Sequence, residues 1–107
     1  MADKVLSLLG LARRAGKLEA GFDAAVSAAR AKKAHLLLAA RDVSEKTVKN
    51  LKYEGDRVEI PTARIKAGME EMSRACNVRA GVLAVTDQGF AAALTQMLER
   101  EKEETSL

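Results

Sequence analysis

The chain has few of the residues that carry covalent chemistry. Among 107 residues there is one cysteine, Cys76, one histidine, His35, one proline, Pro61, and no tryptophan. A lone cysteine cannot close an internal disulfide, which agrees with a reducing compartment. No second His or Cys stands at metal-ligand spacing, so no metal site is expected. Cys76 follows an apolar helical face without a histidine partner and reads as a packing residue. His35, at the mouth of an apolar run, reads as structural. No Ser-His-acid set or carboxylate pair can be assembled. Asp42, Glu45 and Asp87 fall near strand ends, where α/β enzymes place carboxylates, but each is also explained as a helix cap. The expectation is a protein that is not an enzyme and has no cofactor.

Long apolar runs are also missing. No stretch approaches a bilayer span, and the N-terminus has no secretory core, so a cytoplasmic chain away from membranes is expected. Aromatics are scarce: Phe22, Tyr53 and Phe90. Readers of single strands stack bases on exposed aromatic platforms. Phe22 and Phe90 fall in apolar stripes, so stacking is excluded as the main mode of any nucleic-acid binding.

What is present is alanine, aliphatic residues and an uneven charge. Apolar residues make up 48% of the chain, enough for one domain with a modest core. Residues 1–52 hold eleven Lys or Arg against five Asp or Glu, a net of +6, whereas "EREKEE" at 99–104 is net −2. A basic first half suits a polyanionic partner, and equally a solubilising surface.

Apolar spacing divides the chain into alternating elements. Val5, Leu8, Leu9 and Ala12 form one helix face, capped by Asp3 and ended by Gly16. Leu18–Ala20 reads as a short extended piece. Gly21 opens a second helix that buries Phe22, Ala25, Val26 and Ala29, with Arg30, Lys32 and Lys33 at its end. "HLLLAA" (35–40) and "GVLAVT" (81–86) are continuous apolar runs of the kind found in strands buried on both faces. Between them, Ser44 caps a helix facing inward through Val48 and Leu51. Val58 and Ile60 alternate with Arg57 and Glu59 and predict an edge strand, with Pro61 beside it. A helix over about 68–76 is expected to bury Met69, Met72 and Cys76. Asp87 caps a last helix with the stripe Phe90, Leu94, Met97 and Leu98. Residues 1–98 are read as one domain and 99–107 as a charged tail that frays. Alternation of this kind predicts an α/β fold, a three-layer α-β-α sandwich with a small mixed central sheet.

One motif stands apart from this alternation. Gly10-Leu-Ala-Arg-Arg-Ala-Gly16-Lys17 looks like a phosphate-binding loop, but five residues separate its glycines and Leu18 follows the lysine. A P-loop has four residues there, then Ser or Thr, and joins a strand to a helix. Here the glycines lie within and after a helix. Gly16 as a helix end, with a basic corner of Arg13, Arg14 and Lys17, accounts for the stretch.

Three stretches taken together carry a resemblance: "LLGLARRAGKL" (8–18), "LLLAARDVSEKT" (36–47) and "LAVTDQGFAAAL" (83–94). Their order and spacing resemble the small bacterial, YlxQ-like branch of the L-seven-Ae ribosomal protein family, across roughly residues 5–98. The resemblance implies the same sandwich fold, no catalysis or cofactor, and binding to structured RNA, typically a kink-turn and often in ribosomal context. The expected partners are structured RNA, ribosomal or kink-turn, with ribosomal proteins as further candidates, and the chain is expected to be a monomer.

The resemblance also implies where RNA is read. The family's motif G-x-N-E-x-x-K at the start of the second helix falls on "GFDAAVS". Gly21 matches; Asp23, Ala24 and Ser27 replace the Asn, Glu and Lys. A second contact, the loop before the last strand, follows a pattern like L-G-R-A-x-G. "MSRACN" matches it with Met72 and Arg74 in the Leu and Arg positions; an ungapped register would instead use Ser73 for the Arg. Val78 and Arg79 then lie in the reading loop. After "LLLAA", Arg41 stands where the family usually has Glu. The implied RNA-binding residues are Gly21, Phe22, Asp23, Ser27, Arg30, Lys33, Arg41, Arg74, Val78 and Arg79, with Lys32 and Lys46 as nearby cations. Two functions remain open: recognition of structured RNA by shape and phosphate contacts, or a protein-interaction module that has lost kink-turn specificity.

Overall fold

The computed structural model describes residues 3–105. In chain order the elements are α1 (Lys4–Arg14), β1 (Leu18–Ala20), α2 (Phe22–Arg30), β2 (Leu36–Ala39), α3 (Glu45–Arg57), β3 (Thr62–Arg64), α4 (Met69–Cys76), β4 (Val82–Val85) and α5 (Gln88–Thr105). The strands form one mixed sheet in the order β1-β4-β2-β3. β4 runs antiparallel to both β1 and β2, while β3 is parallel to β2. All eight residues of the central pair β2 and β4 are buried, so continuous apolar runs, rather than alternating ones, fill the middle of the sheet. Helices α2 and α3 pack on each other and on the sheet, and α1 packs against α4 and α5, with α5 on β4. The result is the three-layer α-β-α sandwich. Leu9, Leu37, Leu38, Leu51, Met72, Leu83 and Leu94 are fully enclosed in its core.

Local chemistry accounts for the ends of the helices. The Asp3 carboxylate accepts from the Val5 and Leu6 amides, Ser44 Oγ from Thr47, and Asp87 from Phe90. Each satisfies donors that a helix start leaves open. Gly16, at φ +73°, ends α1: its N–H bonds the Arg13 carbonyl and the Lys17 N–H bonds that of Ala12. That paired closure is the Schellman motif, and it disposes of any phosphate loop here. Lys32 closes α2 in the same way without being glycine, at φ 60°.

Two sequence expectations are corrected. The Val58–Ile60 segment is not a strand. Helix α3 continues to Arg57, Glu59 turns left-handed, and the Ile60 N–H bonds the Gly55 carbonyl at 2.9 Å. The apparent alternation is a helix end whose apolar Ile60 folds back onto the core. Gly55 permits that return, because a Cβ there would sit 2.8 Å from the Ile60 carbonyl oxygen. The third strand begins only after Pro61, at the sheet edge. Met69 is not buried but 40% exposed. Helix α5 continues through Thr105, and Leu98, Glu99, Glu101 and Lys102 border a groove shared with β3, while residues 106–107 of the expected tail lie outside the described residues. Glu, Lys and Arg are good helix formers, so extension costs little.

Candidate nucleic-acid interface

Strand directions decide which loops meet. Because β1, β2 and β3 run one way and β4 the other, the ends of the first three and the start of β4 share one end of the sheet. The starts of α2, α3 and α4 follow there, together with the 77–81 loop. Backbone bonds tie this end together. The Gly21 N–H donates to the Val82 carbonyl at 2.8 Å, the Ala40 N–H to Gly81 at 2.8 Å, and the Arg41 N–H to Ala67 at 2.9 Å. Gly21 sits at φ 100°, ψ 156°, a conformation nearly confined to glycine, and no side chain caps the helix it opens. The first amides of α2 are thus left for an external acceptor, at the positive end of the helix.

A second helix start is already occupied. Asp42 Oδ1 accepts from the Met69 N–H at 2.8 Å, and Glu71 Oε1 accepts from the Gly68 N–H at 3.2 Å. Asp42 therefore caps α4 across space rather than the helix that follows it in sequence. Next to this cap lies an open groove of about 790 Å³, bordered by Asp42, Met69, Glu70, Ser73, Arg74, Asn77, Val78 and Arg79. Asn77 ends α4 in the left-handed conformation, at φ 52°, and turns the chain into the loop. Arg41 and Arg79 are exposed, with no ion-pair partner among the described residues. Arg74 faces Glu70 at 3.7 Å, but both side chains are solvated, so the pair is weak and easily exchanged.

The expected site residues fall into two groups. Gly21, Phe22, Asp23, Arg41, Arg74, Val78 and Arg79 belong to the shared end, with Lys46 in the first turn of α3. Phe22 and Val78 are half-buried against the core, while Asp23 and Arg74 are exposed. Ser27 lies midway along α2, exposed. Arg30, Lys32 and Lys33 lie at the other end of α2, about 13 Å away at ~1.5 Å per residue. Arg30 is committed there: its guanidinium makes three hydrogen bonds to Glu54 at 3.0–3.2 Å, and this carboxylate holds its pKa above the usual value. Lys17 is at that far end too, since its carbonyl accepts from the Thr86 N–H beyond β4. Met69, Glu70 and Asn77 border the groove without having been singled out, while Asp42 was read only as a helix cap and Ser73 only as the alternative register to Arg74. An Asp shortly after a buried apolar run was the signal for Asp42; the positions on α4 and its end depend on the tertiary path of that helix. In α4, Met72 is fully buried and Arg74 exposed, while Ser73 turns toward Ala80.

Among the described residues no group of three His, Cys, Asp or Glu side chains could hold a metal. Burial raises the Cys76 thiol pKa, with Arg13 opposing weakly, so the thiolate is disfavoured. Among the described residues no helix is long and apolar enough to cross a membrane.

The structure is a small α-β-α sandwich with a loop-built, partly basic end. The chain belongs to the ribosomal protein L7Ae/L30e/S12e/Gadd45 family, whose model matches residues 3–95. It is 31% identical over 96 residues to the RNA-binding protein YlxQ of Enterococcus faecium, covering 90% of this chain and 92% of that one. It is 34% identical over 93 residues to the RNA-binding protein YlxQ of Bacillus subtilis strain 168, covering 86% and 92%. Among solved structures, a protein with unknown function from Bacillus halodurans C superposes with a TM-score of 0.86 at 29% identity, covering 92% of this chain and 99% of that one.

Proposed function

We propose that this protein binds structured RNA at the sheet end where α2 begins, recognising it by shape and phosphate contacts. Kink-turn RNA in a ribosomal context is the favoured ligand. The observation that carries the reading is the Gly21–Val82 backbone bond, which sets the start of α2 directly beside the 77–81 loop. These are the two segments that the family resemblance assigns to RNA. The relatives named RNA-binding protein YlxQ match over nearly the whole chain and support the same reading.

The residue chemistry favours backbone recognition over base reading. Asp23 accepts but cannot donate, and its charge opposes phosphate; Ala24 offers no polar group. Free amides at the start of α2 and the cations Arg41, Arg79 and Arg74 bind phosphate oxygens without regard to sequence. A gel-shift titration with kink-turn and ribosomal RNA over a salt series tests this. Binding that weakens steeply with salt supports it, and no binding at low salt refutes it.

The loss of Asn, Glu and Lys from the α2 motif motivates one competing reading, a protein-interaction module on the same fold. Partners recovered from a pull-down that survive complete nuclease digestion would favour it.

A further inference from the structure

Ser73 makes a pair of contacts with the segment that follows α4. Its Oγ donates to the Ala80 carbonyl and accepts from the Ala80 N–H, each at 3.2 Å. A hydroxyl has one proton and two lone pairs, so one side chain here serves both main-chain groups of one residue. Its own carbonyl accepts from the Val78 N–H at 3.1 Å. Ser73 thus grips the segment at 78 and again at 80, with Arg79 between the two grips. Ala80 is 8% exposed, so water cannot readily replace the hydroxyl there.

The remaining anchors of the loop lie outside this span. Asn77 bonds back to Arg74 at a long 3.4 Å, and Gly81 is held by Ala40. Residues 78–80 make no strand pairing. Without the hydroxyl, the Ala80 N–H and carbonyl lose this shared partner, and of the two ties flanking Arg79 only the main-chain one at Val78 remains.

We propose that Ser73 is a positioning residue: it presets the 78–80 backbone so that Arg79 and Val78 meet RNA without paying for loop ordering. The role rests on the RNA reading above and adds what makes the loop a rigid surface. Preorganisation of this kind improves affinity by removing an ordering cost rather than by adding a contact.

The test combines amide hydrogen exchange with RNA titration on the full chain. Ser73→Ala should speed exchange at Ala80 by about tenfold or more, and weaken binding to a kink-turn RNA by about the same factor, as loss of two hydrogen bonds implies. Ser73→Thr keeps the hydroxyl and should restore both. Arg79→Ala should weaken binding while leaving Ala80 exchange slow, which separates contact from positioning. Exchange at Ala80 unchanged in Ser73→Ala overturns the proposal, as does faster exchange with undiminished affinity. Failure of the wild-type chain to bind RNA overturns the RNA reading and this role with it; wild-type binding that Ser73→Ala leaves intact overturns this role alone.

Discussion

Replacing Arg41 and Arg79 together with alanine tests whether the cations at one end of the sheet carry the binding. Both are exposed and free of carboxylate partners among the described residues, so each is available to a phosphate. Each neutralised phosphate releases close to one counterion, and removing its cation lowers the slope of log K against log salt by about one. The double variant should therefore lower the slope by about two. Between ~50 and ~200 mM salt, the wild-type protein should lose about tenfold more affinity than the variant. The matched control is Lys32→Ala with Lys33→Ala, which removes the same charge from the far end of α2. Fluorescence anisotropy with a labelled kink-turn RNA over five salt concentrations gives both slopes. If the control lowers the slope as much as Arg41 and Arg79 do, binding follows net charge and the reasoning from strand direction is wrong.

Further outcomes follow from single contacts. Gly21→Ala imposes a side chain at φ 100° and should cost about 1–3 kcal/mol in a urea melt, although no atom lies within 4 Å of the new Cβ. Gly55→Ala gains about 1 kcal/mol of helix propensity. It nevertheless places Cβ 2.8 Å from both the Ile60 carbonyl and Thr62 Oγ1, so net destabilisation of about 1–3 kcal/mol is expected; an unchanged Tm would contradict that packing. Arg64 donates to Glu45 at 2.8 Å and holds this carboxyl below its usual pKa. The resulting stabilisation is present above the unfolded carboxylate value and is lost as pH falls through the folded one. The Tm difference between wild type and Glu45→Gln should therefore close on acidification. Cys76, buried and shifted upward, should resist alkylation at neutral pH until the chain is unfolded.

Most of the fold was legible because its signals are local. Asp3, Ser44 and Asp87 are caps in sequence and in structure, and the two continuous apolar runs became the buried central strands. Ile60 misled because strand alternation and a helix end folding back its last apolar residue give the same short pattern. Met69 misled because helical spacing places it on the apolar face, while α4 turns its first residue toward the groove. The candidate site was legible only in part. Gly21 and the 77–81 loop could be singled out, but their adjacency depends on β4 running against β1. Charge composition has no direction along a chain, so Arg30 and Lys33 could not be separated from Arg41 and Arg79 before strand order was known. Asp42 capping a helix 27 positions onward and Ser73 holding Ala80 are tertiary contacts with no sequence signature.

The central claim is that one end of the sheet binds structured RNA. Its most direct test is a titration of the isotope-labelled protein with a kink-turn RNA, followed by amide chemical shifts. The largest changes are expected at 21–24, 41–44, 68–69 and 77–81, with little change at 31–35 and 86–88. Shifts concentrated at the far end, or none at all, would contradict it.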